Sequence, residues 1–226
     1  QDPIHRHKDV LTHTFAVIEN VRPPAEQADD RPDFDFRIVR LAALFHDIGK
    51  PRTRGYAEGK GTTFHHHDAV GARMTKKRMT ELRYSNDDVA AVVELVALHL
   101  RFHTYRLGWS DSAVRRYVRD AGDLLHELNV LTRCDCTTRN EKKARTLSRR
   151  MDELEERITE LAAAEELAAL RPEMDGGEVM AHLGVAPGPI VGRALEHLLE
   201  IRLEEGLVGD AEIRARLDVW FAGQQG

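Results

Sequence analysis

Cysteine is scarce in this chain. Only Cys134 and Cys136 occur in 226 residues. Two apart on a helix, they point to opposite sides and cannot easily pair. A disulfide framework is excluded, and a reducing cytoplasm is the expected compartment. Small buried hydrophobes are the better reading of the pair than thiolate ligands. No apolar run approaches the 18 or more residues of a membrane span, so no membrane partner is expected. Positive charge is not in excess either: the formal net charge is −5. Nucleic-acid binding would need a local basic patch. No signal peptide is visible. The chain begins Gln1-Asp2-Pro3 rather than with Met, which predicts a fragment of something longer.

Convincing strand patterns are also missing. Helical periodicity fills nearly the whole chain, and the expected class is all-α. Helices are predicted over 8–21, 35–48, 65–82, 87–101, 111–120, 122–137, 139–170, 176–183, 189–205 and 211–222. Residues 22–34 and 51–63 read as loops, the second rich in Gly with several basic residues and placed to act as a lid. Asn86 is the expected N-cap of its helix. Asp33-Phe34-Asp35 has the look of a nucleotidyl-transfer carboxylate pair but lacks the Gly-Ser loop that chemistry needs. It is read as a loop and N-cap feature. In the long helix, Leu147, Met151, Leu154, Ile158 and Leu161 form a packing seam. Its first part, with the residues just before it, is basic (Arg133, Arg139, Lys142, Lys143, Arg145, Arg149, Arg150). Its second part is acidic from Asp152 to Glu166. The acidic part is a solvated face. The basic part begins beside Asp135, and with Arg139 it marks a place for a phosphate-bearing substrate. Pro172 marks a boundary. Pro187-Gly188-Pro189 opens a later helix, either as a tight helix entry or as a phosphate seat.

Four polar residues occupy positions where a globular protein normally puts leucine. His13 lies at the edge of the Val10, Thr14, Val17, Val21 stripe. His46 and Asp47 end the apolar run Ile38 to Phe45, which reads as a core helix stopped by Gly49 and Pro51. Asp135 falls in the stripe of Leu124, Leu128 and Leu131. Burying even a neutral polar group without a partner costs roughly 2–7 kcal/mol. A metal ion that takes His13, His46, Asp47 and Asp135 as ligands removes that cost. Two imidazoles and two carboxylates without thiolate favour Mg²⁺, Mn²⁺, Fe²⁺, Ni²⁺ or Zn²⁺ in a site with open positions. The reaction class such a site supports is phosphoester hydrolysis. The chain holds 12 histidines in all. His67 and His99 are the next candidates to line the site, ahead of His65, His66 and His103. Lys50, directly after the pair, could reach a phosphate oxygen.

The ordered set His13, then His46-Asp47-Ile48-Gly49-Lys50, then Asp135 resembles the HD superfamily of metal-dependent phosphohydrolases. The longer stretches Arg40 to Pro51, Thr63 to Ala72, Asp111 to Asp120 and Asp135 to Asn140 go further. They resemble the C-terminal half of bacterial CCA-adding tRNA nucleotidyltransferases of the poly(A) polymerase-like group, particularly the actinobacterial form. The resemblance implies an HD-domain helical bundle over 1–150, followed by a long helix and a small helical tail within 151–226. The tail's implied role is tRNA contact. The nucleotidyltransferase head is absent, so CCA addition by this chain is not expected. The implied activity is 2′,3′-cyclic phosphodiesterase or phosphomonoesterase action on nucleotides or RNA 3′ ends, with a divalent metal on His13, His46, Asp47 and Asp135. His46, Asp47 and Lys50 would be catalytic. Lys50, His67, His99 and Arg139 would bind substrate, and His67 and His99 could hold a second metal. The competing reading is a non-catalytic module that positions tRNA through the basic run. A regulatory nucleotide hydrolase of the same superfamily, unrelated to tRNA, is the third reading.

Overall fold

The computed structural model describes residues 9–23, 34–59, 61–107, 109–138, 140–165 and 171–224. Among the described residues the regular structure is helical except for one two-stranded hairpin, in agreement with the all-α expectation. Two compact units emerge, one of residues 1–107 and 120–153, the other of 108–119 and 154–226.

The first unit begins with α1 (Val10–Asn20), whose N-cap Asp9 accepts a hydrogen bond from the Thr12 backbone N–H at 3.0 Å. Thr14, Val17 and Val21 bury the inner stripe of this helix. Next comes α2 (Phe36–Phe45), capped by Asp35. Ile38, Val39, Ala42, Ala43 and Phe45 are buried, but Leu44 is exposed, so the helix is apolar on most of its surface and buried on only part of it. This helix stops before Gly49 and Pro51, as expected, but helix then resumes. After a turn through His46 to Gly49 the chain forms α3 (Lys50–Thr53), with Pro51 in its first turn, where no backbone N–H is needed.

The predicted loop at 51–63 instead holds a hairpin. β1 (Gly55–Ala57) pairs antiparallel with β2 (Gly61–Thr63), Tyr56 opposite Thr62. Strands of three residues are too short to show a two-residue alternation, which hid them in the sequence. α4 (His67–Glu81) and α5 (Asn86–Leu98) follow and pack on each other. The cap of α5 is Ser85, not Asn86: its hydroxyl accepts from the Asp88 N–H at 3.1 Å. The helix ends at Leu98 rather than running to residue 101, so His99 and His103 do not share a helical face; a 3-10 segment, Arg101–Leu107, follows. After α6 (Asp111–Ala121) and a 3-10 turn, Gly122–Leu124, comes α7 (Leu125–Asp135). Leu128 and Leu131 of α7 enter the core, where α2 packs against α1, α5 and α7. α8 (Glu141–Glu165) is the long helix; Met151, Leu154 and Leu161 of its seam are buried.

In the second unit α9 (Gly176–Leu183) starts in a reciprocal capping box between Asp175 and Glu178. With α10 (Pro189–Glu205) and α11 (Asp210–Gly223) it encloses a core of Met174, Val179, Val191, Ala194, Leu198, Ile201, Ile213 and Leu217. Arg115 is buried and donates to the carbonyls of Leu203 and Glu204 at 3.1 and 3.3 Å, satisfying the open end of α10.

One close approach positions the residues discussed next. A Cβ on Gly49 would lie 2.2 Å from the His67 carbonyl oxygen and 2.8 Å from the Gly71 nitrogen, both backbone atoms of α4. Only glycine lets the His46–Gly49 turn sit against α4. We expect Gly49→Ala to lower stability by about 3 kcal/mol, at the upper end of overpacking effects, because a helix backbone must move. In α10, Gly192 has open space around its Cβ position. There Gly192→Ala should stabilise by about 0.5–1 kcal/mol. Urea unfolding of the two variants checks both signs; a tolerated Gly49→Ala would contradict the packing argument.

Candidate metal centre

His13 projects from the interior of α1. The other members of the cluster come from helix ends. His46 caps α2 and Asp47 follows in the turn; His67 opens α4, His99 caps α5, and Asp135 is the last residue of α7. Helix C-termini carry backbone carbonyls with no intrahelical partner; His46 and His99 use such carbonyls, and His67 uses one in the turn before α4. Nδ1–H of His46 donates to the Ala43 carbonyl at 2.8 Å, that of His99 to Val96 at 2.7 Å, and that of His67 to Phe64 at 2.8 Å. Each partner lies three residues earlier. A carbonyl can only accept, so Nδ1 carries the hydrogen in all three and the neutral ring presents a bare Nε2.

Those bare nitrogens face one another and two carboxylates. His13 Nε2 lies 3.2 Å from His46 Nε2, 2.9 Å from Asp135 Oδ1 and 3.5 Å from Asp47 Oδ2. His46 Nε2 lies 3.4 Å from Asp47 Oδ2 and 3.6 Å from Asp135 Oδ1. On the other oxygen of Asp47, His67 Nε2 stands at 3.4 Å, and His99 Nε2 is 3.3 Å from His67 Nε2. Two donor groups that could hold a metal ion thus share Asp47: His13, His46 and Asp47, and Asp47, His67 and His99. The separations match the edges, about 3.0–3.4 Å, of a coordination polyhedron with bonds near 2.1 Å. Lone pairs packed this closely repel unless positive charge sits among them. The donor set therefore fits a divalent cation, with hard and borderline ligands and no thiolate.

The protonation equilibria show the same demand for positive charge. Burial disfavours the His46 imidazolium, yet the Asp47 hydrogen bond and the charges of Asp47 and Asp135 outweigh it, and its pKa is raised. Burial pushes the Asp47 carboxyl up, but hydrogen bonds to His46 and His67 and the charges of His46 and Lys50 carry it well below the usual carboxylate range. Asp135 is likewise depressed against its burial, by His103 and His13 hydrogen bonding and by His46. For His99 burial dominates and lowers the pKa to about 4.

The remaining predicted residues divide. Lys50 Nζ is 2.6 Å from Asp47 Oδ2, so it stands at the cluster. His103 is half exposed, with Nε2 3.7 Å from Asp135 Oδ2, at the rim. His65 and His66 are exposed, and neither is in the two groups above. Arg139 lies outside the described residues. The basic run is partly neutralised: Arg133 pairs with Asp152, Arg145 with Glu141 and Arg149 with Glu153, while Lys142 and Lys143 are exposed. Burial raises the Cys136 thiol pKa, which keeps it protonated. Two contacts escaped the sequence reading. Thr137 Oγ1 is 2.9 Å from His13 Nδ1, and Asn20 Nδ2 donates to the Cys134 carbonyl at 2.9 Å. Thr137 lies in a non-helical turn, where no periodic face exists to make it stand out.

The lowered His99 pKa has a sign that stability measurements can read. The unfolded chain binds a proton near the ordinary pKa of 6.5, the folded protein only near 4. Stability from this group is complete above pH 6.5 and is lost as pH falls toward 4. In metal-free protein, the deficit of His99→Gln relative to wild type should shrink by up to about 3 kcal/mol between pH 7 and 4. Urea titrations at both pH values test this, and a constant deficit would contradict it.

Residues 10–164 match the HD domain family. The chain is 34% identical over 215 residues to the A-adding tRNA nucleotidyltransferase of Deinococcus radiodurans, covering 95% of this chain and 47% of that protein. It is 37% identical over 190 residues to the CC-adding tRNA nucleotidyltransferase of Thermus thermophilus, covering 83% of this chain and 41% of that one. The chain thus spans less than half the length of either relative. The family match takes in His13, His46-Asp47, His67, His99 and Asp135 together, and the chain belongs to the HD domain family.

Proposed function

We propose that this chain is a metal-dependent phosphohydrolase acting on 2′,3′-cyclic phosphates or phosphomonoesters of nucleotides or RNA 3′ ends, in the cytoplasm. The observation that carries the reading is the facing of bare imidazole nitrogens and two carboxylates across about one coordination edge. His13, His46, Asp47 and Asp135 would hold a divalent ion (Mn²⁺, Ni²⁺, Mg²⁺, Fe²⁺ or Zn²⁺), with His67 and His99 available to a second through Asp47. When bound, such an ion supplies Lewis acidity toward a phosphoryl oxygen and lowers the pKa of a coordinated water. The chain's own residues do the rest. The carbonyl-locked rings of His46, His67 and His99 keep their Nε2 lone pairs pointed inward. Lys50, beside Asp47, offers the positive charge that a phosphate oxygen takes. His103 at the rim and Arg139 are further groups for the substrate's phosphate.

The substrate class is taken from the relatives: both are named for adding nucleotides to tRNA, and an RNA 3′ end left by cleavage can carry a 2′,3′-cyclic or terminal phosphate. On this reading residues 1–150 carry the hydrolase and 151–226 a helical extension that touches tRNA. The chain would be the HD-containing C-terminal portion of a CCA-adding enzyme. A second reading, a tRNA-positioning module without catalysis, is favoured by the exposure of Lys142 and Lys143.

The two readings separate experimentally. Purified chain supplied with each metal should hydrolyse members of a panel of 2′,3′-cyclic and monophosphate nucleotides, and Asp47→Ala should reduce turnover to background. Lys50→Gln should lower kcat/KM by about 10–100-fold, the worth of one charge-assisted hydrogen bond. A metal-replete wild type inert on the whole panel would refute the hydrolase. If tRNA is the partner, binding should weaken steeply with salt, and Lys142→Glu with Lys143→Glu should reduce the slope of log K against log salt by roughly 2. No binding at low salt would remove tRNA as a partner.

A further inference from the structure

We propose that Thr137 is the positioning residue of His13, the one of the four rings whose Nδ1 partner is not a backbone carbonyl three residues earlier. The inference rests on the metal-centre reading above and adds a residue to it. His46 and His99 each take the carbonyl three residues back, which the last turns of α2 and α5 leave open, and His67 takes that of Phe64 in the turn before α4. His13 sits inside α1, where the corresponding carbonyls are committed. The Val10 carbonyl, three residues back, accepts from the Thr14 hydroxyl at 2.8 Å, and the Asp9 carbonyl, four back, accepts from the His13 backbone N–H at 3.0 Å. The ring must find its Nδ1 partner elsewhere in the fold.

The turn after α7 provides it. Thr137 Oγ1 lies 2.9 Å from His13 Nδ1, while Asp135 Oδ1, from the same turn, lies 2.9 Å from His13 Nε2. One short segment thus holds both nitrogens of one imidazole. The turn is itself fixed: the Thr137 N–H donates to the Asp135 carbonyl at 2.8 Å, and Asn20 of α1 donates to the Cys134 carbonyl at 2.9 Å. Thr137 is β-branched, so its χ1 is stiff and the hydroxyl is held in place. When Nε2 turns its lone pair to a cation, Nδ1 keeps the hydrogen and donates it to Thr137 Oγ1. Partners of this kind fix the tautomer and orientation of a ligating imidazole. The role differs from that of the other three histidines in one respect: a hydroxyl can donate as well as accept, so His13 is the ring whose tautomer can adapt.

The test is binding of Co²⁺ alone, read by calorimetry and by the visible spectrum of the bound ion. Thr137→Val keeps the shape and removes the hydroxyl; we expect its Co²⁺ Kd to rise by about 10–100-fold. Thr137→Ser restores the hydroxyl and should recover most of the affinity. In a His13→Gln background, Thr137→Val should add no further loss, because its effect runs through that ring. Equal loss in the His13→Gln background, or Thr137→Ser as weak as Thr137→Val, would overturn the assignment. Wild type that binds Co²⁺ while Thr137→Val binds it equally well removes this inference only. Wild type that binds none removes the metal-centre reading and this inference with it.

Discussion

Everything in the first unit is arranged around a concentration of electron pairs. Four imidazoles and two carboxylates meet inside a helical core, mostly out of contact with water. Such a group is unstable without positive charge, and burial makes the need stronger because water cannot screen it. The raised pKa of His46 and the depressed pKa values of Asp47 and Asp135 are responses to this one condition. Lys50, drawn onto Asp47, is another. A divalent ion answers the same condition with more charge and with directed bonds.

Helix ends solve the geometric side of the problem. A helix interior offers no free backbone acceptor, whereas the last turn offers several. Placing His46 and His99 at helix C-termini lets each ring lock its own tautomer on a local carbonyl. The same choice puts Asp47 in a turn, where it can show one oxygen to His13, His46 and Lys50 and the other to His67. The turn can lie against α4 only because Gly49 has no side chain. Sequence, close packing and chemistry are therefore linked at one backbone contact.

Much of this could be read from the chain. The polar residues His13, His46-Asp47 and Asp135 stand at the edge, at the end and in the middle of apolar runs, where leucine is expected, and the fold brings them together. His67 and His99 were weaker candidates, since neither interrupts a stripe cleanly; the fold buries both at Asp47. Features without period were harder. The hairpin at 55–63 is too short to alternate, and the restart of helix at Lys50 depends on Pro51 tolerating a first turn. Thr137 sits in a turn and acts across a separation of 124 residues, which no local pattern reports. Ion pairing also reshaped the basic run: Arg133, Arg145 and Arg149 find acidic partners on the same or a neighbouring helix. Charge counting along the chain sees the arginines but not their pairing.

Anomalous diffraction from crystals of this chain grown with Mn²⁺ tests the central claim most directly. The account predicts a strong peak at bonding distance, about 2.1–2.2 Å, from His13 Nε2, His46 Nε2 and carboxylate oxygens of Asp47 and Asp135. Metal-replete crystals with no anomalous density among these atoms, the rings held there by protons and ordinary hydrogen bonds alone, would contradict it.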